Sequence, residues 1–153
     1  MSTDRNELLD KLGRAPDRMQ RLIEDHPDDL LRQAGDCGGW GAVEIMAFLR
    51  DWDVVVDERL SLMLEEENPE FEHEDPDLWS IERDYHAEIP DAVLAEFRTG
   101  REQLMKRLNN LDETAWARTG HMPDEPAFTV DDLILGLFQN DQEHLNRLRD
   151  LLL

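Results

Sequence analysis

Cysteine, lysine and tyrosine are nearly missing from this 153-residue chain, with one, two and one of each. A lone Cys37 can form no internal disulfide, so the fold must rest on its core, and a reducing cytoplasm is the expected location. Cys37 sits in the loop-like stretch GDCGGW without an adjoining Lys, Arg or His, which speaks against a low-pKa nucleophilic thiol. Positive charge is scarce too: 16 Lys and Arg stand against 37 Asp and Glu, a formal net charge of −21. Such a surface has no basic face to neutralise phosphates or settle on anionic lipid, so neither nucleic acid nor membrane is expected as a partner. Cationic ligands and basic proteins remain compatible with it, and the excess charge otherwise reads as a solvated, soluble surface. No run approaches the roughly 18 apolar residues of a membrane span. The opening MSTDRNELLDKL lacks the basic and apolar regions of a signal peptide.

What the chain does have is helical periodicity. Its length suits one domain, 1–153, able to bury a core without staples. Over residues 3–25 the apolar positions Leu8, Leu12, Ala15, Met19 and Leu22 recur at spacings of three and four. Pro16 and Gly13 predict a kink or two short helices there. A connection follows, with a helical turn at 28–33. Residues 41–66 carry Ile45, Leu49, Trp52, Val56, Leu60 and Met63 on one stripe, with Arg50, Asp53, Asp57 and Ser61 opposite. The stretch 65–89 reads as a long acidic connection in which Pro69 and Pro76 forbid continuous helix, tacked down by Trp79, Ile81 and Tyr85. A third helix opens at Pro90 and runs to Asn110, with Arg101 on the apolar stripe of Leu94, Phe97, Leu104 and Leu108. After a connection at 111–128, Thr129 and Asp132 form a capping-box pattern that starts a last helix. Its inward stripe is read as Leu133, Leu137, Asn140, His144, Leu148 and Leu151. Four amphipathic segments without a strand predict an all-α, four-helix bundle. The connection between the second and third helices is long enough to cross the bundle.

Two features carry chemistry. Asn140 and His144, four residues apart, share a helix face at the spacing by which two ligands grip one metal. Asn supplies only a neutral amide oxygen, so the pair reads first as a hydrogen-bonded layer in a packed core, and after that as one wall of a small-molecule pocket. Arg101 on a core stripe must be paired, by Asp51, Asp53 or an acid of the last helix, or else receive an anionic ligand.

GWGAVEIMAFLRDWD, residues 39–53, resembles the second-helix signature of the DinB-like superfamily with its YfiT-like members: Trp40, Glu44, Ile45, Leu49, Asp51 and Asp53 fit it. The stretch from Trp79 and Tyr85 to Phe97, Arg101, Leu104 and Leu108 resembles the third-helix region, and FTVDDLILGLFQNDQEHLNRL resembles the final helix. The resemblance spans essentially the whole chain. It implies a four-helix bundle with a long crossover between helices 2 and 3. It also implies a divalent metal on three histidines, at positions that here read Phe48, Asn140 and His144. Two of those three ligands are absent.

The expected function is therefore metal-free, with no cofactor: a small ligand bound between helices, with Glu44, Trp52 and Arg101 as pocket candidates, or a protein partner. One alternative is a divalent-metal (Zn or Ni) hydrolase or a thiol-dependent transferase with an altered ligand set drawn from His144, Asn140, Glu44 and Asp51. In that case His144 with Asp51 or Asp53 is the acid–base candidate. Another is a structural acidic module that forms a homodimer.

Overall fold

The computed structural model describes residues 3–35 and 39–153; Cys37 lies outside them. The first helical segment is divided. Helix α1 spans Thr3–Gly13 and α2 spans Ala15–Ile23, with Pro16 in the first turn of α2, where its missing N–H costs nothing. A single turn, α3 (Asp28–Leu31), leads to α4 (Ala42–Glu65). The acidic connection is more structured than its charge suggests. Helix α5 (Pro76–Glu82) starts where the Asp75 side chain accepts the Leu78 N–H, and a 3₁₀ turn covers Tyr85–Ala87. Helix α6 runs Pro90–Asn109, a short α7 covers Glu113–Trp116, and α8 spans Val130–Leu152. The capping box at the start of α8 is complete: Thr129 Oγ1 accepts from Asp132 N and Asp132 Oδ2 accepts from Thr129 N. Against the expectation of no strand, β1 (Thr119–Gly120) pairs antiparallel with β2 (Phe128–Thr129). Two residues per strand are too few to show a period of two, so the sequence carries no trace of this pair.

Helix α4 packs on α6 and α8, and α1 and α2 pack on the same two. The first and second bundle helices therefore face each other diagonally, an arrangement that the long crossover permits. The crossover is pinned at both ends. Phe71 is buried and its N–H donates to the His121 carbonyl, while Phe71 also fills the space beside Gly120, where a Cβ would come within 2.5 Å of its ring. Further on, the buried Tyr85 donates to Asp51 Oδ2 on α4 at 2.6 Å.

The core is two apolar clusters. One gathers Met19, Ile45, Leu49, Phe97, Leu145 and Leu148; the other gathers Leu12, Val56, Leu60, Leu104, Ile134 and Leu137. At the level where one gives way to the other, a polar layer crosses the bundle. Arg101 of α6 is completely buried and uses all five N–H donors. Nε and one Nη donate to Asp53 of α4 at 3.0 and 2.9 Å, two N–H groups donate to Asp141 of α8 at 2.7 and 2.9 Å, and one reaches the Leu12 carbonyl of α1 at 2.9 Å. The guanidinium also lies 4.9 Å from the Phe97 ring centre.

The structure corrects several sequence readings, the first of them through this layer. Asp53 is 5% exposed and belongs to the core, not to the polar face of its helix. The buried stripe of α8 is Val130, Ile134, Leu137, Asp141, Leu145 and Leu148, one residue out of phase with the expected one at its polar step. Asn140 and His144 are consequently half-buried on its flank. Ile81 does not tack down the crossover: it is 78% exposed, and Trp79 and Tyr85 do that work.

Candidate functional site

The flank of α8 that carries Asn140 and His144 faces a cavity of about 700 Å³ between α4, α5 and α8. Helix α4 supplies Glu44, Phe48 and Trp52 at four-residue intervals, which puts all three on one face. Helix α8 supplies Asn140, His144 and Arg147, spaced by four and then three residues and so also on one face. Ser80 and Asp77 of α5, with Glu74 before it, close the third side, and Trp40 lies at the N-terminal end of α4. Gly41, between Trp40 and the helix, is held so close to the Gln33 carbonyl oxygen that a Cβ would sit 1.9 Å from it. Only glycine allows that approach, and it fixes the chain from which Trp40 projects.

The wall is strongly aromatic. The Phe48 ring centre lies 5.3 Å from Trp40, 5.7 Å from Trp52 and 6.4 Å from Trp79. It lies closest to His144, at 4.7 Å and tilted by 47°. His144 Nδ1 stands 2.9 Å from the Asn140 carbonyl oxygen. A carbonyl only accepts, so Nδ1 carries the proton, and in the neutral ring Nε2 keeps the lone pair. Glu44 is half-buried with both oxygens engaged: Oε1 accepts from Gly41 N and Oε2 from Ser80 Oγ, each at 3.1 Å. The Asn140 side-chain Nδ2 is buried and has no hydrogen-bond partner among the described residues.

The metal implied by the resemblance does not fit these residues. A phenyl ring has no donor atom, and Phe48 occupies the space beside His144. The orphaned Asn140 Nδ2 is an N–H donor without a lone pair to give. Among the described residues no three His, Cys, Asp or Glu side chains converge in a way that could hold a metal ion.

Several candidate residues lie elsewhere. Of the pocket candidates, Glu44 and Trp52 line the cavity, whereas Arg101 is sealed in the core layer. Asp53 is there with it, and burial, opposed by Arg101 but reinforced by the Asp141 and Asp57 charges, pushes its carboxyl up to about 6. The coulombic pull of Asp53 and Asp141 outweighs burial and raises Arg101, so this cation stays charged. Asp51 does not line the cavity; it accepts from Tyr85 Oη, Arg50 Nε and Arg83. Burial works against its charge, yet these donors prevail and hold its carboxyl below the usual range. Burial and the same carboxylate push the Tyr85 phenol up. Arg50 extends the network to Glu88 and Glu96. The structure therefore brings neither Asp51 nor Asp53 to His144, and the acid–base arrangement considered from sequence is not assembled. The sequence reading missed Trp40, Ser80 and Arg147 as cavity residues; the last was legible, three residues beyond His144 on the same face.

Comparison with known proteins agrees with this architecture. The chain matches over 99% of its length a solved structure described as YfiT from Bacillus subtilis, "a probable metal-dependent hydrolase with an unusual four-helix bundle topology". The two share 22% sequence identity with a TM-score of 0.88, and the match covers 87% of that chain. A comparison with curated proteins finds no match. The sequence model of the DinB superfamily matches residues 11–148, nearly the entire bundle, and the chain belongs to that superfamily.

Proposed function

We propose that this chain works without the family's metal, as a small-ligand-binding domain whose site is the cavity between α4, α5 and α8. The observation that carries the reading is the Phe48 ring packed 4.7 Å from His144, at the position where the resemblance puts the metal ligand of the second bundle helix. The cavity, about 700 Å³, falls in the range typical of small-molecule sites, about 300–1,000 Å³. Its apolar wall with a few convergent polar groups has the usual character of such sites. The hydrolase description belongs to YfiT, and its transfer here would need a ligand set that Phe48 and Asn140 do not offer. The carboxylates that the sequence offered to His144 for acid–base catalysis, Asp51 and Asp53, are committed to arginines elsewhere.

The test is metal content by mass spectrometry on protein purified without chelator or His-tag, offered Zn, Ni and Mn and then dialysed. The expected result is metal well below one equivalent. One equivalent that disappears in His144→Ala would overturn the reading and turn attention to Glu44 as the replacement ligand.

A further inference from the structure

We propose that the group this cavity recognises is an organic cation, an alkylammonium head held against the Trp40 and Trp52 indoles with Glu44 as its counter-charge. The inference rests on the metal-free pocket reading above and specifies its ligand class.

Along one face of α4 the cavity meets Glu44, Phe48 and Trp52 in succession, spread over about 12 Å of helix. Phe48 lies between the two indoles, tilted 46° to Trp40 and 34° to Trp52, so the three rings form a continuous wall. The faces of such rings carry negative potential and attract cations, most strongly at tryptophan. The protein already uses this property in the same cluster. Arg83 lies 4.4 Å from the ring centre of Trp79, and Arg59 lies 5.5 Å from that of Trp52; neither arginine lines the cavity.

Charge around the cavity points the same way. Among the described residues, Glu44, Glu74 and Asp77 face it against a single guanidinium, that of the exposed Arg147. An anionic ligand would meet three carboxylates for one arginine. Glu44 is the half-buried acid among them, and each of its oxygens accepts one bond from the protein. A carboxylate has about four acceptor sites, so lone pairs remain to face a ligand. His144, its Nδ1 committed to the Asn140 carbonyl, adds an acceptor and no fixed charge when neutral. A bare metal ion is a poor match, because it needs converging donors in a small shell and this space is wide and largely aromatic. An alkylammonium needs the opposite: low charge density, a broad π-surface and one carboxylate nearby. The net charge of −21 draws cations toward the site from a distance.

The experiment is isothermal titration calorimetry of the intact chain with three probes of one shape: choline, its neutral isostere 3,3-dimethylbutan-1-ol, and the anion 3,3-dimethylbutyrate. Choline is expected to bind at least tenfold more tightly than either. Trp40→Leu and Trp52→Phe are expected to weaken it fivefold or more, and Glu44→Gln, which keeps an acceptor for the Gly41 N–H, to weaken it similarly. Circular dichroism establishes that each variant is folded, and Glu44→Gln alone decides the charge requirement if the tryptophan variants are not. Equal binding of choline and the alcohol would overturn the cation inference and leave the pocket reading standing. Preference for the carboxylate would overturn it in favour of Arg147. Failure of all three probes to bind would also overturn it, while the pocket reading would still stand or fall on the metal measurement.

Discussion

Replacing Arg101 by Met tests the polar layer most directly. The substitution removes five N–H donors and one positive charge from a site with essentially no solvent exposure, and leaves the carboxylates of Asp53 and Asp141 facing each other. Breaking a buried ion pair by removing one partner costs about 3–5 kcal/mol. For a domain of this size each kcal/mol lowers Tm by about 2–4 °C, so the expected loss is about 6–20 °C. The loss must depend on pH. In the native chain one cation faces two carboxylates, and Asp53 holds its proton up to a pKa of about 6 against an ordinary 3.8. Between those values the folded state binds a proton that the unfolded state does not, so stability from this group rises as pH falls from 6 towards 4. Two pKa units correspond to about 3 kcal/mol. Asp51, with a depressed pKa, acts oppositely, but its contribution is lost only below pH 3.8, outside this window. Without Arg101 both acids lose their cation and both favour protonation, so the deficit of Arg101→Met should shrink steadily between pH 7 and 5. Urea unfolding followed by circular dichroism at several pH values measures this. A companion triple variant, Asp53→Leu, Arg101→Met and Asp141→Leu, should recover most of the loss, since a fully apolar replacement leaves no charge unpaired. A loss below about 1 kcal/mol for Arg101→Met, or one equal at pH 7 and 5, would refute the claim that Arg101 neutralises a buried acid pair.

Other consequences are open to equally direct measurement. Phe48→His combined with Asn140→His places imidazoles at all three positions that the resemblance assigns to metal, and the double variant should take up one equivalent of Zn or Ni by mass spectrometry, against the substoichiometric metal expected of the native chain. Tyr85→Phe removes the 2.6 Å bond to Asp51 and should cost about 1–2 kcal/mol in chemical denaturation; full stability would mean that Arg50 and Arg83 alone hold the crossover. Thr129→Ala opens the capping box of α8 and should cost about 1 kcal/mol. Asp53→Asn should flatten the rise in stability between pH 6 and 4, and a slope that persists would refute the assignment of this pH dependence to Asp53.

The elements legible in sequence were those set by nearest neighbours. The break at Pro16, the start of α6 at Pro90 and the Thr129–Asp132 box each depend on residues within one turn, and the structure has all three. The phase of α8 was not legible. Leu137, Asn140, His144 and Leu148 make as good a three-and-four pattern as Leu137, Asp141, Leu145 and Leu148. A carboxylate reads as solvent-facing unless its partner is known, and the partner of Asp141 is on α6, 40 residues earlier. The available clue was Arg101 itself: a guanidinium on an apolar stripe requires acids on the facing helices, and Asp141 lies on one of them. The site suffered from the same error. Once Asp141 takes the core position, Asn140 and His144 rotate to the flank and become cavity wall, with Trp40, Ser80 and Arg147 beside them.

The buried layer and the cavity are thereby mechanically linked. Arg101 ties Asp53 of α4 to Asp141 of α8 through paired bonds of 2.7–3.0 Å, which leave those two helices little freedom to slide. Phe48 lies five residues from Asp53 on α4, and His144 lies three residues from Asp141 on α8. The layer therefore fixes the relative height of the two cavity walls from a point within about one and a half helical turns of their facing rings. Apolar packing alone would tolerate a shift of the helices, because leucine contacts carry no direction, whereas a guanidinium with five satisfied donors does not. A buried layer of three charges that gives little net stability is then explained by what it positions: the 4.7 Å contact of Phe48 with His144, and with it the aromatic wall of the cavity.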